Sequence, residues 1–82
     1  MKIKNMCSNR KNFEERKQTL LSFDVEQVIK ELEKDLINVS VEICDDLGYV
    51  ILNDTLSVAF WNENELYRYL LGVWNGQILG MK

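Results

Sequence analysis

Residues 39–61 read VSVEICDDLGYVILNDTLSVAFW, and this stretch decides the fold. Val39, Val41 and Ile43 alternate with Ser40, Glu42 and Cys44, the period-two pattern of a half-buried strand. Asp45, Asp46, Leu47 and Gly48 read as a turn, with Gly48 suited to positive φ. Tyr49 to Leu52 form a second strand, apolar on both faces. Asn53 and Asp54 mark the next turn, and Leu56, Val58 and Phe60 alternate with Ser57, Ala59 and Trp61 in a third strand. Connections this short require antiparallel hairpins. Setting Ile43 against Val50 and Val41 against Leu52 puts the aliphatic residues on one face. Leu56, Val58 and Phe60 join that face only if Leu52 pairs with Leu56 across a three-residue loop, Asn53 to Thr55. A two-residue loop turns Thr55, Ser57 and Ala59 inward and buries hydroxyls without gain. The opposite face then carries Glu42, Cys44, Tyr49, Ile51, Ser57, Ala59 and Trp61.

Working outward, the period changes to 3.6. Upstream, Val25, Val28, Ile29, Leu32 and Leu36 make a helical stripe. Asp24 is its expected N-cap, Phe23 and Val28 its staple, and Asn38 its left-handed end. A shorter helix is expected from Asn12, capped by that residue with Glu15 at N3. Downstream, Asn62 caps a last helix with Glu65 at N3, a Trp61–Leu66 staple, a stripe of Leu66, Tyr69, Leu70, Val73 and Trp74, and a stop at Asn75-Gly76. Met1 to Lys11 shows no clear period and reads as a flexible basic leader before a single domain, 12–82. The tail still carries Ile78, Leu79 and Met81, which need a docking place. The expected fold class is α+β: a three-stranded antiparallel meander with helices packed on it, in the order (α)-α-β-β-β-α. Its expected core comprises Val28, Ile29, Leu32, Leu36, Val41, Ile43, Val50, Leu52, Val58, Phe60, Leu66, Leu70 and Val73.

Composition bounds the chemistry. The chain has 82 residues, no histidine, no proline and two cysteines, Cys7 and Cys44. Lack of histidine excludes Ser-His-Asp and Cys-His machinery and imidazole metal ligands. Two distant cysteines make no four-ligand zinc site within one chain, and no phosphate-binding glycine motif occurs. Asp45-Asp46 and Asn53-Asp54 lie at opposite ends of one strand and match no calcium loop. We therefore expect no enzyme, no cofactor, no metal and no small-molecule substrate. With no apolar run of membrane-spanning length and no signal segment, a cytoplasmic protein with free thiols is expected.

Charge is divided unevenly. Residues 1–18 hold six basic and two acidic side chains, net +4; residues 19–82 hold four and eleven, net −7. The acidic body suits a basic protein surface, with Asp45, Asp46, Asp54, Glu63 and Glu65 supplying charge and Tyr49 and Trp61 supplying anchors. The alternative is nucleic-acid binding by the basic arm, through Lys2, Lys4, Arg10 and Lys11. A third reading is a homodimer or larger homo-oligomer that buries the open sheet face.

Two resemblances bear on these readings. The α-β-β-β-α order resembles the double-stranded-RNA-binding domain, which implies a basic start to the last helix; here that place is Asn62-Glu63-Asn64-Glu65, which is acidic. Val39 to Trp61 and Asn62 to Gly76, including the Tyr-Leu-Leu-Gly-Val-Trp-Asn-Gly stretch at 69–76, are similar to small phage- and prophage-encoded inhibitors of the anti-CRISPR kind. That resemblance implies an acidic binder that occupies a nucleic-acid site on a partner protein.

Overall fold

Alternating side chains commit Val39–Cys44, Gly48–Leu52 and Leu56–Phe60 to three strands, paired antiparallel in sequence order. The computed structural model, which describes residues 1–76, adds a fourth. Numbered in chain order, the elements are β1 (Lys2–Met6), α1 (Arg10–Leu20), α2 (Phe23–Lys34), β2 (Val39–Cys44), β3 (Gly48–Leu52), β4 (Leu56–Phe60) and α3 (Glu63–Trp74). The sheet order is β1-β2-β3-β4. The class is α+β, but the expected three-stranded meander is part of a four-stranded mixed sheet. Residues 2–6, read as a leader without period, pair parallel with β2, Ile3 opposite Val41 and Asn5 opposite Ile43. A parallel pair needs a long crossover, and α1 with α2 supplies it. Ile78, Leu79 and Met81 lie outside the described residues.

The register of the first hairpin differs from expectation by two residues. Val41 faces Val50, Val39 faces Leu52, and Ile43 faces Gly48. A two-residue slide preserves side-chain parity, so the same residues face the core. Its physical cause is Phe60. Gly48 is no turn glycine: it pairs with Phe60 inside the sheet, and a Cβ on it would lie 2.5 Å from the Phe60 ring. The glycine makes room for the largest side chain of the core. The second hairpin has the expected Leu52–Leu56 pair, and its loop places Asn53 and Asp54 at φ 52° and 60°.

Helix ends are set by local caps, one of them tied to a partner distant in sequence. Asn9, not Asn12, caps α1, its side chain accepting from Asn12 N at 2.8 Å. Ser22, not Asp24, caps α2; its Oγ accepts from Val25 N and donates to Glu63 Oε2 at 2.6 Å. Phe23 thereby becomes the first helical residue and is 76% exposed, so it forms no staple. At the other end Leu36, not Asn38, takes the left-handed conformation, at φ 64°. Leu36 N donates to Glu33 O and Ile37 N to Leu32 O, a complete Schellman motif with Ile37 and Leu32 both buried. Leu36 points to solvent, 89% exposed, and is no core residue. Asn38 instead exchanges hydrogen bonds with Asn53 below β2 and β3. Asn62 caps α3 as expected, accepting from Glu65 N at 2.9 Å.

All three helices pack on one face. Leu20 and Leu21 end α1, Val25, Ile29 and Leu32 line α2, Leu66, Leu70 and Val73 line α3, and they join Val41, Ile43 and Val50 in one apolar cluster. Val58, expected in that core, is only half-buried at its margin.

Candidate functional site

Among the described residues no helix lies over the other face of the sheet. Paired residues project to the same side, so the register builds this surface row by row. One row runs Lys2, Ser40, Ile51, Ser57; the next runs Lys4, Glu42, Tyr49, Ala59; Met6 and Cys44 begin a third. Tyr49 is 36% exposed at the centre and Met6 48% exposed at the edge. Trp61 follows β4 directly and is 61% exposed. A shallow groove crosses the face between Lys2, Lys4, Ser40, Glu42, Ile51 and Asp54. Apolar and aromatic groups thus share this face with charges of both signs.

The five acidic candidates divide into two sets. Asp46 and Asp54 are exposed, one in each hairpin loop, at opposite ends of the face. Asp45, Glu63 and Glu65 are engaged inside the molecule. Asp45 accepts from Ser8 N at 3.0 Å, Ser8 Oγ at 3.2 Å and Asn12 Nδ2 at 2.6 Å. These bonds, first the Ser8 amide and then Asn12, hold its carboxyl below the usual carboxylate range. Glu63 accepts from Ser22 Oγ, tying the start of α3 to the start of α2. Glu65 accepts from Trp61 N at 2.6 Å, which fixes the backbone that carries Trp61.

The four basic candidates also divide. Lys2 and Lys4 stand on the open face, in the rows of Ile51 and Tyr49. Arg10 and Lys11 open α1 in the helical layer, so the four make no single arm. Sequence reasoning missed the contribution of β1 to this face; the one available signal was Ile3 between Lys2 and Lys4.

Beside the loop that holds Asp45 lies a cluster around Arg16. Its Nε donates to Cys44 O at 2.6 Å, and its Nη2 is buried without a hydrogen-bond partner. Cys7 Sγ donates to Ile43 O at 3.4 Å; burial, and then the Asp45 charge, push its thiol pKa up. Among the described residues no group of three or more histidine, cysteine, aspartate or glutamate side chains is placed to hold a metal ion. No helix among them is long and apolar enough to cross a membrane. The chain matches no protein-family model, no curated protein and no solved structure.

Proposed function

We propose that the protein is a non-enzymatic binding module that docks its open sheet face on a basic surface of a partner protein. The observation that supports this reading is the face left uncovered among the described residues, with Tyr49 at its centre, Ile51 next to it on the same strand, Met6 at the β1 edge and Trp61 at one end. Exposed aromatic side chains on a rigid sheet give contact area at little entropic cost. The net charge of −3 and the exposed Asp46 and Asp54 at the two ends favour a basic counter-surface. Lys2, Lys4 and Tyr49 on one face favour a second reading, base stacking with phosphate contacts. Against it, Glu42 stands between Lys4 and Tyr49 in the same row and repels a phosphate backbone.

The test compares tagged wild type, Tyr49→Ala and Phe23→Ala in a nuclease-treated lysate of the source organism. Phe23 is exposed on the helical side and controls for nonspecific adhesion. The expected result is one stoichiometric protein held by wild type and Phe23→Ala, released by salt, and held about tenfold less by Tyr49→Ala. Equal retention by Tyr49→Ala, no retained protein, or retention of nucleic acid in the untreated lysate alone overturns the reading.

A further inference from the structure

Among the described residues the sheet has two open edges, and they are built differently. β1 carries Lys2 and Lys4, the charges that proteins place on edges to prevent pairing. β4 is Leu56-Ser57-Val58-Ala59-Phe60, with no charge, proline or glycine. Its inward side is also short of cover. Leu56 and Val58 are half-buried, whereas the residues they pair with, Leu52 and Val50, are fully buried. α3 packs on β4 but leaves these two side chains at the margin of the core.

We infer that β4 pairs antiparallel with β4 of a second copy of this chain, joining two four-stranded sheets into one of eight strands across a twofold axis at Val58. A twofold interface requires a patch complementary to itself, and this strand reads the same from both ends: apolar, small, apolar, small, apolar. Antiparallel pairing sets Val58 on Val58, Leu56 on Phe60 and Ser57 on Ala59. Leu56, Val58 and Phe60 of both copies then face the helical side, and the margins of the two cores become continuous. Each copy carries a net charge of −3, so copies repel in general, and a strip without charge is where they can approach. The same operation on β1 about Lys4 sets lysine against lysine, so the choice of edge is specified. A five-residue strand pair is a small interface, so the dimer forms on concentration and dissociates on dilution.

Sedimentation equilibrium over a wide concentration range tests the pairing. Wild type is expected to pass from 9.7 kDa to twice that mass. Ser57 and Ala59 are exposed, so charges there spare the monomer. The double variants Ser57→Lys/Ala59→Lys and Ser57→Glu/Ala59→Glu should each remain monomeric, and an equimolar mixture of the two should dimerise. Tyr49→Ala should leave the association unchanged, which separates this dimer from docking through the open face. A monomeric wild type at every concentration, association that survives both double variants, or loss on Tyr49→Ala overturns the proposal. If a variant fails to fold, amide exchange on wild type decides: protection of β4 must rise with concentration, and constant protection rejects the pairing.

Discussion

Leu36 occupies a backbone conformation that a β-carbon disfavours, and its side chain gains nothing in return. At φ 64° it follows the C-cap Asp35, and it is 89% exposed. The left-handed region costs an L-residue about 1–2 kcal/mol, part of which glycine forfeits in the unfolded chain. Leu36→Gly is therefore expected to stabilise the fold by about 1 kcal/mol, read as a higher urea midpoint with an unchanged slope. Asp45 behaves in the opposite sense. Its carboxylate receives Ser8 and Asn12, and its pKa lies below the ordinary 3.8. A carboxyl depressed in the folded state contributes stability that is present above its unfolded pKa and lost as pH falls through the folded one. Asp45→Asn should be less stable than wild type at neutral pH, and the difference should begin to narrow near about pH 4 and close as pH falls through the lower folded pKa. Urea titrations at stepped pH measure it; a difference that persists unchanged in acid would show that the charge plays no part.

At the scale of elements, the β2–β3 hairpin is positioned by one missing side chain. Alanine at Gly48 puts a Cβ 2.5 Å from Phe60 Cζ and 3.0 Å from the Glu42 carbonyl. The ring is wedged in the core and the carbonyl belongs to the ladder, so neither yields cheaply. Gly48→Ala is expected to cost about 1–3 kcal/mol, the range for overpacking, and Gly48→Ala with Phe60→Leu should recover part of it. Thermal or urea unfolding of the three variants gives the coupling. Much of this layer was legible in the sequence because period-two alternation fixes side-chain parity: the inward and outward residues of β2, β3 and β4 follow from it, as does the Leu52–Leu56 loop. The turn of the first hairpin was not, because a glycine after two aspartates signals positive φ locally, while its use here depends on a phenylalanine on the neighbouring strand, twelve residues on. The caps of α1 and α2 follow the same rule. Each start offers two capping residues within three positions, and the choice rests on Asp45 for one helix and Glu63 for the other. Tyr49 and Trp61 were legible as exposed, and Glu65 as part of the α3 cap; the engagement of Asp45 and Glu63 was not, since each binds a residue of another element or loop.

For the whole molecule, the decisive question is what β1 does. Its five residues all have exposed side chains, and its composition of Lys2, Ile3, Lys4, Asn5 and Met6 carries little strand signal, so the sequence reads as a loose leader. The backbone tells otherwise, because β1 pairs with β2 from Ser40 to Cys44, all of that strand but Val39. β2 is apolar on its inward side, and without β1 it becomes an edge with a row of unpaired backbone groups and no charge except Glu42. A chain starting at Cys7 should therefore unfold at a lower urea midpoint and aggregate at concentrations where the full chain stays dispersed. It would still hold the Ser8–Asp45 and Asn9 contacts that start α1, so the loss can be assigned to the strand. A dangling leader predicts the opposite, an unchanged midpoint and unchanged solubility. The same truncation also removes Lys2, Lys4 and Met6 from the open face, so partner binding should weaken even where the shortened chain remains folded. Lys2→Ala/Lys4→Ala in the full chain keeps the β1 backbone and removes only the charges. If that variant matches wild type in urea while the truncation does not, β1 stabilises the fold through its ladder to β2, and its lysines serve the edge and the face.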